Sequence, residues 1–370
     1  MKIGYEAKRI YHNASGLGNY GRNLIRALAT SYPKNKYHLY NPKTAKIPFG
    51  EFLPSVIEEK PSIPNPLYAN IWRQRLMSDR VKKDGIEIFH GLAQELPLGL
   101  SKRGVKTVLT VHDLIFMRYP QLYNFIDRKI YIRKLKSACR RADEIVAISE
   151  QTKNDLVEFM NIPQERIKVI YQGVNPIYWR EFEDEEPQDV RDRYGLPKKF
   201  ALFVGTLEIR KGVDKLLKAQ VDLGIPIVYV GRKTKFWEQI SGLKKYDSIR
   251  HLIFTPEVKE DELLAKLYRV ANVFIYPSIF EGFGIPVLEA LVSKTPVITS
   301  NTSSLPEVAG PSSILVNPED QQEITEALKR LWDDEELRKT MAKTGYEFAQ
   351  NFTDEAIARN WMRLYESLKS

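Results

Sequence analysis

Residues 276–290 read YPSIFEGFGIPVLEA, and the way this stretch folds decides the architecture around it. The run Val273–Pro277 just ahead, VFIYP, is β-branched or aromatic and uncharged, as a strand covered on both faces requires. Pro286 suits the first turn of a helix, where its missing N–H has no partner to lose. Between them Gly282 and Gly284 allow a tight loop. Strand, glycine loop and helix start therefore follow one another within a single short run. That is one βα unit, and the alternation recurs along the whole chain.

In the first half the runs with strand character are Lys2–Glu6, Tyr37–Asn41, Ile86–His90, Lys106–Val111, Glu144–Ser149 and Ile167–Tyr171. Helical spacing appears between them, for example over Tyr20–Thr30 and Asp127–Arg141. A second series comprises Phe200–Gly205, Ile227–Gly231, His251–Phe254, Val273–Pro277, Pro296–Ser300 and Ser313–Val316. The expectation is an α/β protein of two doubly wound, Rossmann-like parallel sheets, in domains 1–175 and 176–351. A length of 370 residues favours two domains on size alone. The acidic run Glu181–Asp189 lacks periodicity and reads as a linker. From Asp354 to Leu368 the tail is amphipathic, with Ile357, Trp361, Leu364, Tyr365 and Leu368 on one face, so residues 352–370 form a helix that must dock. Ligands of open parallel sheets bind beyond the carboxyl ends of the strands, so two such domains facing each other make a cleft lined by strand-to-helix loops.

Composition narrows the function classes. The single cysteine, Cys139, rules out an internal disulfide and a cysteine zinc site and suits a reducing cytoplasm. No run approaches 18 apolar residues. Residues 1–175 hold 29 Lys/Arg against 16 Asp/Glu, and residues 176–370 hold 27 against 31. The first half therefore faces something anionic, or is solvated by its charge. No helix-turn-helix, zinc-finger or aromatic RNA-reading pattern accompanies it, so nucleic acid is the weakest candidate. The run Asp127–Arg141 carries Arg128, Lys129, Arg133, Lys134, Lys136, Arg140 and Arg141. It reads either as a charged outer helix or as one that lies on an anionic membrane.

Four loops are placed for chemistry. Gly16, Leu17 and Gly18 precede a helix expected to begin near Tyr20, and glycine amides at a helix start can cradle an anion; the dinucleotide fingerprint fails on spacing. Arg210 and Lys211 follow the strand Phe200–Gly205 and could neutralise a diphosphate. His112 and His90 each stand at a strand end, and spacing does not rank them. Glu281 and Glu289 bracket the glycine loop. Two acids acting on one glycosidic bond stand about 5 to 9.5 Å apart. Eight helical residues rise roughly 12 Å, which favours separate grips on an extended ligand with the helix start between them.

Together these residues resemble a retaining glycosyltransferase of family 4 with the GT-B fold, in particular its bacterial mannosyltransferase-like members. The resemblance spans nearly the whole chain. It rests on Gly16–Gly18, Val111-His112-Asp113-Leu114, Ala147–Glu150, Gly173–Asn175, Gly205–Gly212, the Glu281/Glu289 pair with seven residues between, and Ser303–Val308. It implies that Lys211, with Arg210, holds the diphosphate of a nucleotide-sugar donor, and that Gly16, Leu17 and Gly18 close on it from the other domain. Glu281 would lie near the donor sugar, and Glu289 at the ribose. Phe283, Gly284 and Ile285 would give backbone contacts, and Thr206 would also belong to the donor-binding positions. Glu257 and Val258 would flank the base. His112 would contact the transferred sugar, and the last helix would return to the first domain.

The resemblance further implies no cofactor and no metal. A hexosyl, specifically mannosyl, group would pass to a glycan or lipid-linked acceptor in cell-surface polysaccharide biosynthesis, in the cytoplasm or at the membrane face. Glucosyl or N-acetylhexosaminyl transfer, and a non-catalytic sugar-nucleotide or glycan-binding protein, stay open beside it. Three departures bear on the site: Thr206 where an arginine is common, Pro256 in the base-binding turn, and Lys294 where a glycine usually closes the helix, which puts an L-residue in a left-handed cap.

Overall fold

The computed structural model describes residues 1–61, 72–183 and 186–369. The chain divides into two compact units, Met1–Val174 with Phe352–Ser370, and Asn175–Asn351. In the first, seven parallel strands are laid out in the order β3-β2-β1-β4-β5-β6-β7: β1 (Lys2–Glu6), β2 (Lys36–Tyr40), β3 (Val56–Glu59), β4 (Ile88–Gly91), β5 (Lys106–Val111), β6 (Glu144–Ala147) and β7 (Ile167–Val169). In the second, six parallel strands take the order β10-β9-β8-β11-β12-β13: β8 (Ala201–Val204), β9 (Ile227–Val230), β10 (Ile253–Phe254), β11 (Val273–Tyr276), β12 (Val297–Ser300) and β13 (Ile314–Val316). In the second sheet the inner strands β8, β9, β11 and β12 are buried along their whole length; in the first, β1, β2 and β5 are buried beyond an exposed leading lysine. Continuous apolar runs are what a sheet covered by helices on both faces demands.

Each sheet reverses its strand order beside its first strand, between β1 and β4 and between β8 and β11. Such a switch point splays the flanking loops and opens a crevice at the carboxyl ends. At β8/β11 those loops are 205–212 and 277–284, so the topology alone brings the Arg210-Lys211 pair opposite the Glu281 loop.

Four local expectations change. Strand β3, VIEE, has no counterpart in the sequence reading: it is a four-residue edge strand, too short and too acidic to show apolar periodicity. The glycine loop is already helix, because the helix runs Gly16–Ser31 with Ser15 as its extended cap residue. Gly18 is needed for packing, since a Cβ there would lie 1.8 Å from the Asn13 carbonyl oxygen. The acidic linker is half helical: Glu186–Tyr194 forms a helix anchored by buried Val190 and by Arg191, whose Nη2 donates to the Val270 carbonyl at 2.8 Å. Residues 184 and 185 of that run lie outside the described residues. His251–Phe254 shrinks to two strand residues because Lys244–Leu252 winds into 3-10 turns.

The tail helix Asp354–Ser367 belongs to the first unit, where Trp361 and Tyr365 are fully buried. Tyr5 donates to the Tyr365 hydroxyl at 3.3 Å, and His90 Nδ1 lies 2.7 Å from the same oxygen. Lys294 adopts φ +57°, a left-handed state that costs an L-residue about 1 kcal/mol. Its side chain offsets part of that cost: the ammonium donates to Glu181 Oε1 at 2.8 Å and lies 4.9 Å from the centre of the Tyr346 ring.

Candidate functional site

The site at β8/β11 is assembled by two loops that touch through their backbones. Gly212, at φ +76°, ends the 3-10 turn Ile209–Lys211, and a Cβ there would lie 2.5 Å from the Pro277 carbonyl oxygen. Only glycine permits that approach. Ile279 N–H donates to the Arg210 carbonyl at 2.9 Å, and Ser278 Oγ lies 3.2 Å from the same oxygen. This seam turns Lys211 inward, where it is 9% exposed.

Lys211 Nζ donates to the Tyr276 hydroxyl at 2.5 Å and to Glu281 Oε1. Glu281 Oε1 also accepts from Tyr276 at 3.0 Å, from Ser278 Oγ at 2.6 Å and, more weakly, from Arg210 Nη1 at 3.4 Å. Arg210 is tethered on both sides, donating through Nη1 to the Phe280 carbonyl at 2.5 Å and through Nη2 to Glu208 Oε1 at 2.8 Å. The Glu281 backbone is fixed as well: its N–H donates to Ser303 Oγ at 3.1 Å, and Ser304 Oγ donates to its carbonyl at 3.0 Å.

Burial pushes the Glu281 carboxyl up, but Lys211 and then Arg210 outweigh it and hold the group below its ordinary value. Burial likewise lowers the Lys211 ammonium, Glu281 opposes that, and the balance stays below the usual lysine range. Two cations thus face one buried carboxylate, while Glu208, whose side chain is 33% exposed, covers Arg210 at the rim. An anion can take the place of the rim carboxylate beside Arg210.

Beside this cluster begins the helix Ile285–Val292, headed by Gly284 at φ +118°, where a Cβ would lie 2.9 Å from Leu305 Cδ2. Phe283 is buried, and Ser304 Oγ fixes its carbonyl at 2.7 Å. The first N–H groups of a helix have no partner within it, and with the helix dipole they favour an anion. Glu289 stands one turn along, half-buried, with Oε2 accepting from Tyr268 at 2.9 Å. Burial, reinforced by the Asp261 charge, pushes its carboxyl up to about 8 against the hydrogen bonds from Tyr268 and Tyr178. Among the described residues the two glutamates share no hydrogen-bonding partner, and their environments push them apart: cations hold Glu281 below its ordinary value, and burial raises Glu289 to about 8.

The remaining positions of the second unit are more scattered. The Thr206 carbonyl accepts from Glu208 N–H at 2.9 Å and shapes the head of the loop. Glu257 and Val258 follow β10, two strand spacings or about 10 Å from β8. The Glu257 side chain is 80% exposed and pairs with Lys259 at 3.0 Å, so it is not gathered into the cluster.

In the first unit the two histidines separate. His90 is fully buried, with Nδ1 on Tyr365 and Nε2 on Thr110 Oγ1, both at 2.7 Å, and its ring lies 4.6 Å from that of Trp361. It is a packing residue. His112 lines a cavity of about 240 Å³ with Arg9, Leu17, Gln94 and Asp113. Its Nε2 lies 2.7 Å from the Leu92 carbonyl, which can only accept, so the proton is on Nε2 and the lone pair on Nδ1. Burial lowers its pKa to about 4. The imidazole is neutral at pH 7 and leaves Nδ1 as an acceptor. Leu17 reaches this cavity from the helix whose first turn contains Gly16 and Gly18.

The sequence reading missed Tyr276, Ser278, Tyr268 and Glu208 as site residues. Ser278 and Tyr276 stand directly at the end of a strand in a switch-point position, which was the available signal; nothing distinguished the tyrosine from a core aromatic.

Comparison with known proteins agrees with this geometry. The model described as Glycosyltransferase Family 4 matches residues 14–177, and that described as Glycosyl transferases group 1 matches residues 187–348. O-antigen chain mannosyltransferase B of Escherichia coli is 27% identical, with both chains covered completely. Serotype-specific mannosyltransferase WbdA of Escherichia coli is 32% identical over 71% of this chain, which spans 34% of that larger protein. The structure of HepE from Anabaena in complex with UDP-glucose superposes with a TM-score of 0.73 at 18% identity, over 99% of this chain and the whole of that one. Fold and site thus define a GT-B glycosyltransferase. Within that class, the chain belongs to family 4.

The Glu289 carboxyl yields a stability test. Its folded value of about 8 lies above the ordinary 4.5, so the folded protein keeps a proton that the unfolded chain releases. That contribution is complete below about 4.5 and is lost as pH rises towards 8. Between pH 5.5 and 8.5 the wild-type Tm should fall about 4 °C further than that of Glu289→Gln. Parallel Tm profiles would contradict the protonated state.

Proposed function

We propose that the protein transfers a hexosyl group, specifically mannosyl, from a nucleoside diphosphate sugar to a hydroxyl of a glycan or lipid-linked glycan, with retention at the anomeric carbon. The observation that carries this reading is the Lys211–Arg210–Glu281 cluster beside the start of the helix Ile285–Val292, at the carboxyl ends of β8 and β11. Names of relatives support the sugar: two proteins similar to this chain are mannosyltransferases.

In this reading the bond between the anomeric carbon and the phosphate oxygen breaks, and the acceptor oxygen bonds to the anomeric carbon on the same face. The acceptor proton passes to the departing phosphate. Negative charge grows on the diphosphate as the bond lengthens. Lys211, Arg210 and the N–H groups at Gly284 and Ile285 oppose it, and this fixed positive charge does the work otherwise given to a metal ion. Glu281, held ionised, fixes the ammonium and accepts from a sugar hydroxyl. Glu289 accepts from the ribose hydroxyls, and His112 Nδ1 is suited to accept from a sugar hydroxyl.

Lys211→Ala should lower kcat by about 10² to 10³, whereas Glu289→Ala should chiefly raise the donor KM. Steady-state kinetics with GDP-, UDP- and ADP-sugars measure both. Equal losses of kcat with unchanged donor KM would contradict the division of roles.

A lipid-linked acceptor places the enzyme at an anionic membrane face. Support comes from the helix Phe125–Arg141: Phe125, Ile126, Ile130 and Tyr131 are exposed, at 59%, 66%, 45% and 45%, among its seven cations. Exposed apolar side chains ringed by lysine and arginine suit an interfacial helix. No described helix is long and apolar enough to cross a membrane. The protein should pellet with vesicles containing phosphatidylglycerol at low salt and lose that binding in Ile126→Asp. Failure of the wild type to pellet removes the membrane from the reading.

A further inference from the structure

The Tyr276 hydroxyl stands inside the Lys211–Glu281 ion pair, accepting from Lys211 Nζ at 2.5 Å and donating to Glu281 Oε1 at 3.0 Å. We propose that Tyr276 is a positioning residue for the donor diphosphate: its hydroxyl pins the Lys211 ammonium, so that one N–H of that ammonium stays aimed at the phosphate when the anion draws the lysine off Glu281. The proposal rests on the donor reading above and assigns Tyr276 no contact with the donor itself.

A lysine ammonium has three N–H bonds. Among the described residues Lys211 uses two, one on Tyr276 and one on Glu281, and its side chain is nine-tenths buried. The third is the one that can meet a ligand.

Tyr276 ends β11 and is fully buried. Its ring lies 5.9 Å from that of Phe274 in a stacked arrangement and 5.6 Å from that of Phe203. The ring also approaches Lys211 Nζ to 5.1 Å from its centre. A hydroxyl mounted on that ring cannot follow the ammonium if it drifts, whereas a flexible glutamate can.

An incoming diphosphate repels Glu281 and competes with it for Lys211. An uncharged phenol oxygen is not displaced in that way. Burial, with Glu281 adding to it, holds the Tyr276 hydroxyl far above the ordinary tyrosine value, so it remains neutral throughout the working range. The charged and titratable groups that act on Lys211 are Glu281 and Tyr276 from the β11 side and Arg210 and Glu208 from its own loop. Removing the hydroxyl takes one acceptor from a buried ammonium and leaves these others in place. Loss of a hydrogen bond to the charged form favours deprotonation.

The test uses the full chain as wild type, as Tyr276→Phe and, for comparison, as Phe203→Leu, which loosens the ring packing and keeps the hydroxyl. UDP and GDP binding is followed by calorimetry from pH 6 to 10, with Tm and circular dichroism at each pH. Tyr276→Phe should bind the nucleotide that the wild type accepts about tenfold more weakly. The alkaline pH at which binding fails should move down by about one unit. Phe203→Leu should lower Tm and leave that alkaline limb where it is. Tyr276→Phe with wild-type affinity and an unmoved limb overturns the proposal, as does an equal shift in Phe203→Leu. A wild type that binds neither nucleotide at any pH overturns the donor reading instead.

Discussion

One carboxylate oxygen, Glu281 Oε1, holds the second unit's site together. Lys211, Arg210, Tyr276 and Ser278 all donate to it, and they come from two loops about seventy residues apart in the chain. A buried ion pair of this kind adds little net stability, because desolvation consumes most of the attraction, yet removing either member strands a charge. Its value is specificity of arrangement. The seam of Gly212 on Pro277, the serines that fix the Glu281 backbone and the tether of Arg210 to Glu208 all keep that oxygen where two cations can share it.

Tuning of the two glutamates follows from what surrounds each. Glu281 has cations against it and stays ionised; Glu289 has tyrosine hydroxyls and the Asp261 charge, and keeps its proton. A carboxyl that is neutral when empty can ionise once ligand hydroxyls donate to it, which in the proposed reading links ribose capture to proton release. The two acids of the glycine loop therefore serve opposite ends of one ligand in the proposed reading. The imidazole of His112 fits the same logic: tied through Nε2 and neutral, it presents an acceptor and no charge.

Much of this architecture is legible in the sequence because strands buried on both faces read as mainly apolar runs, as β8, β9, β11 and β12 do. Where burial is one-sided or local, the signal fades. Strand β3 is an edge carrying two glutamates, and the helix Glu186–Tyr194 hides in an acidic run. The Gly16–Gly18 glycines read as loop, although Gly18 is dictated by the Asn13 carbonyl oxygen packed against the helix.

At the site, Lys211, Arg210, Glu281 and Glu289 stand out because charge beside glycine at a strand end is conspicuous. Tyr276 does not: an aromatic at the end of a buried strand looks like core, and only the position of its hydroxyl between Lys211 and Glu281 shows otherwise. The protonation state of Glu289 and the tautomer of His112 depend on partners distant in sequence, Tyr268 and Leu92, so no local pattern could reveal them.

The central claim is that this cluster exists to receive a diphosphate. Calorimetric comparison of a nucleoside with its diphosphate on the same protein tests it most directly. The account predicts that the diphosphate binds at least about 100-fold more tightly, a difference of about 2.7 kcal/mol, and that the gap closes when Lys211 is replaced by alanine. Equal affinity for nucleoside and diphosphate in the wild type would contradict it.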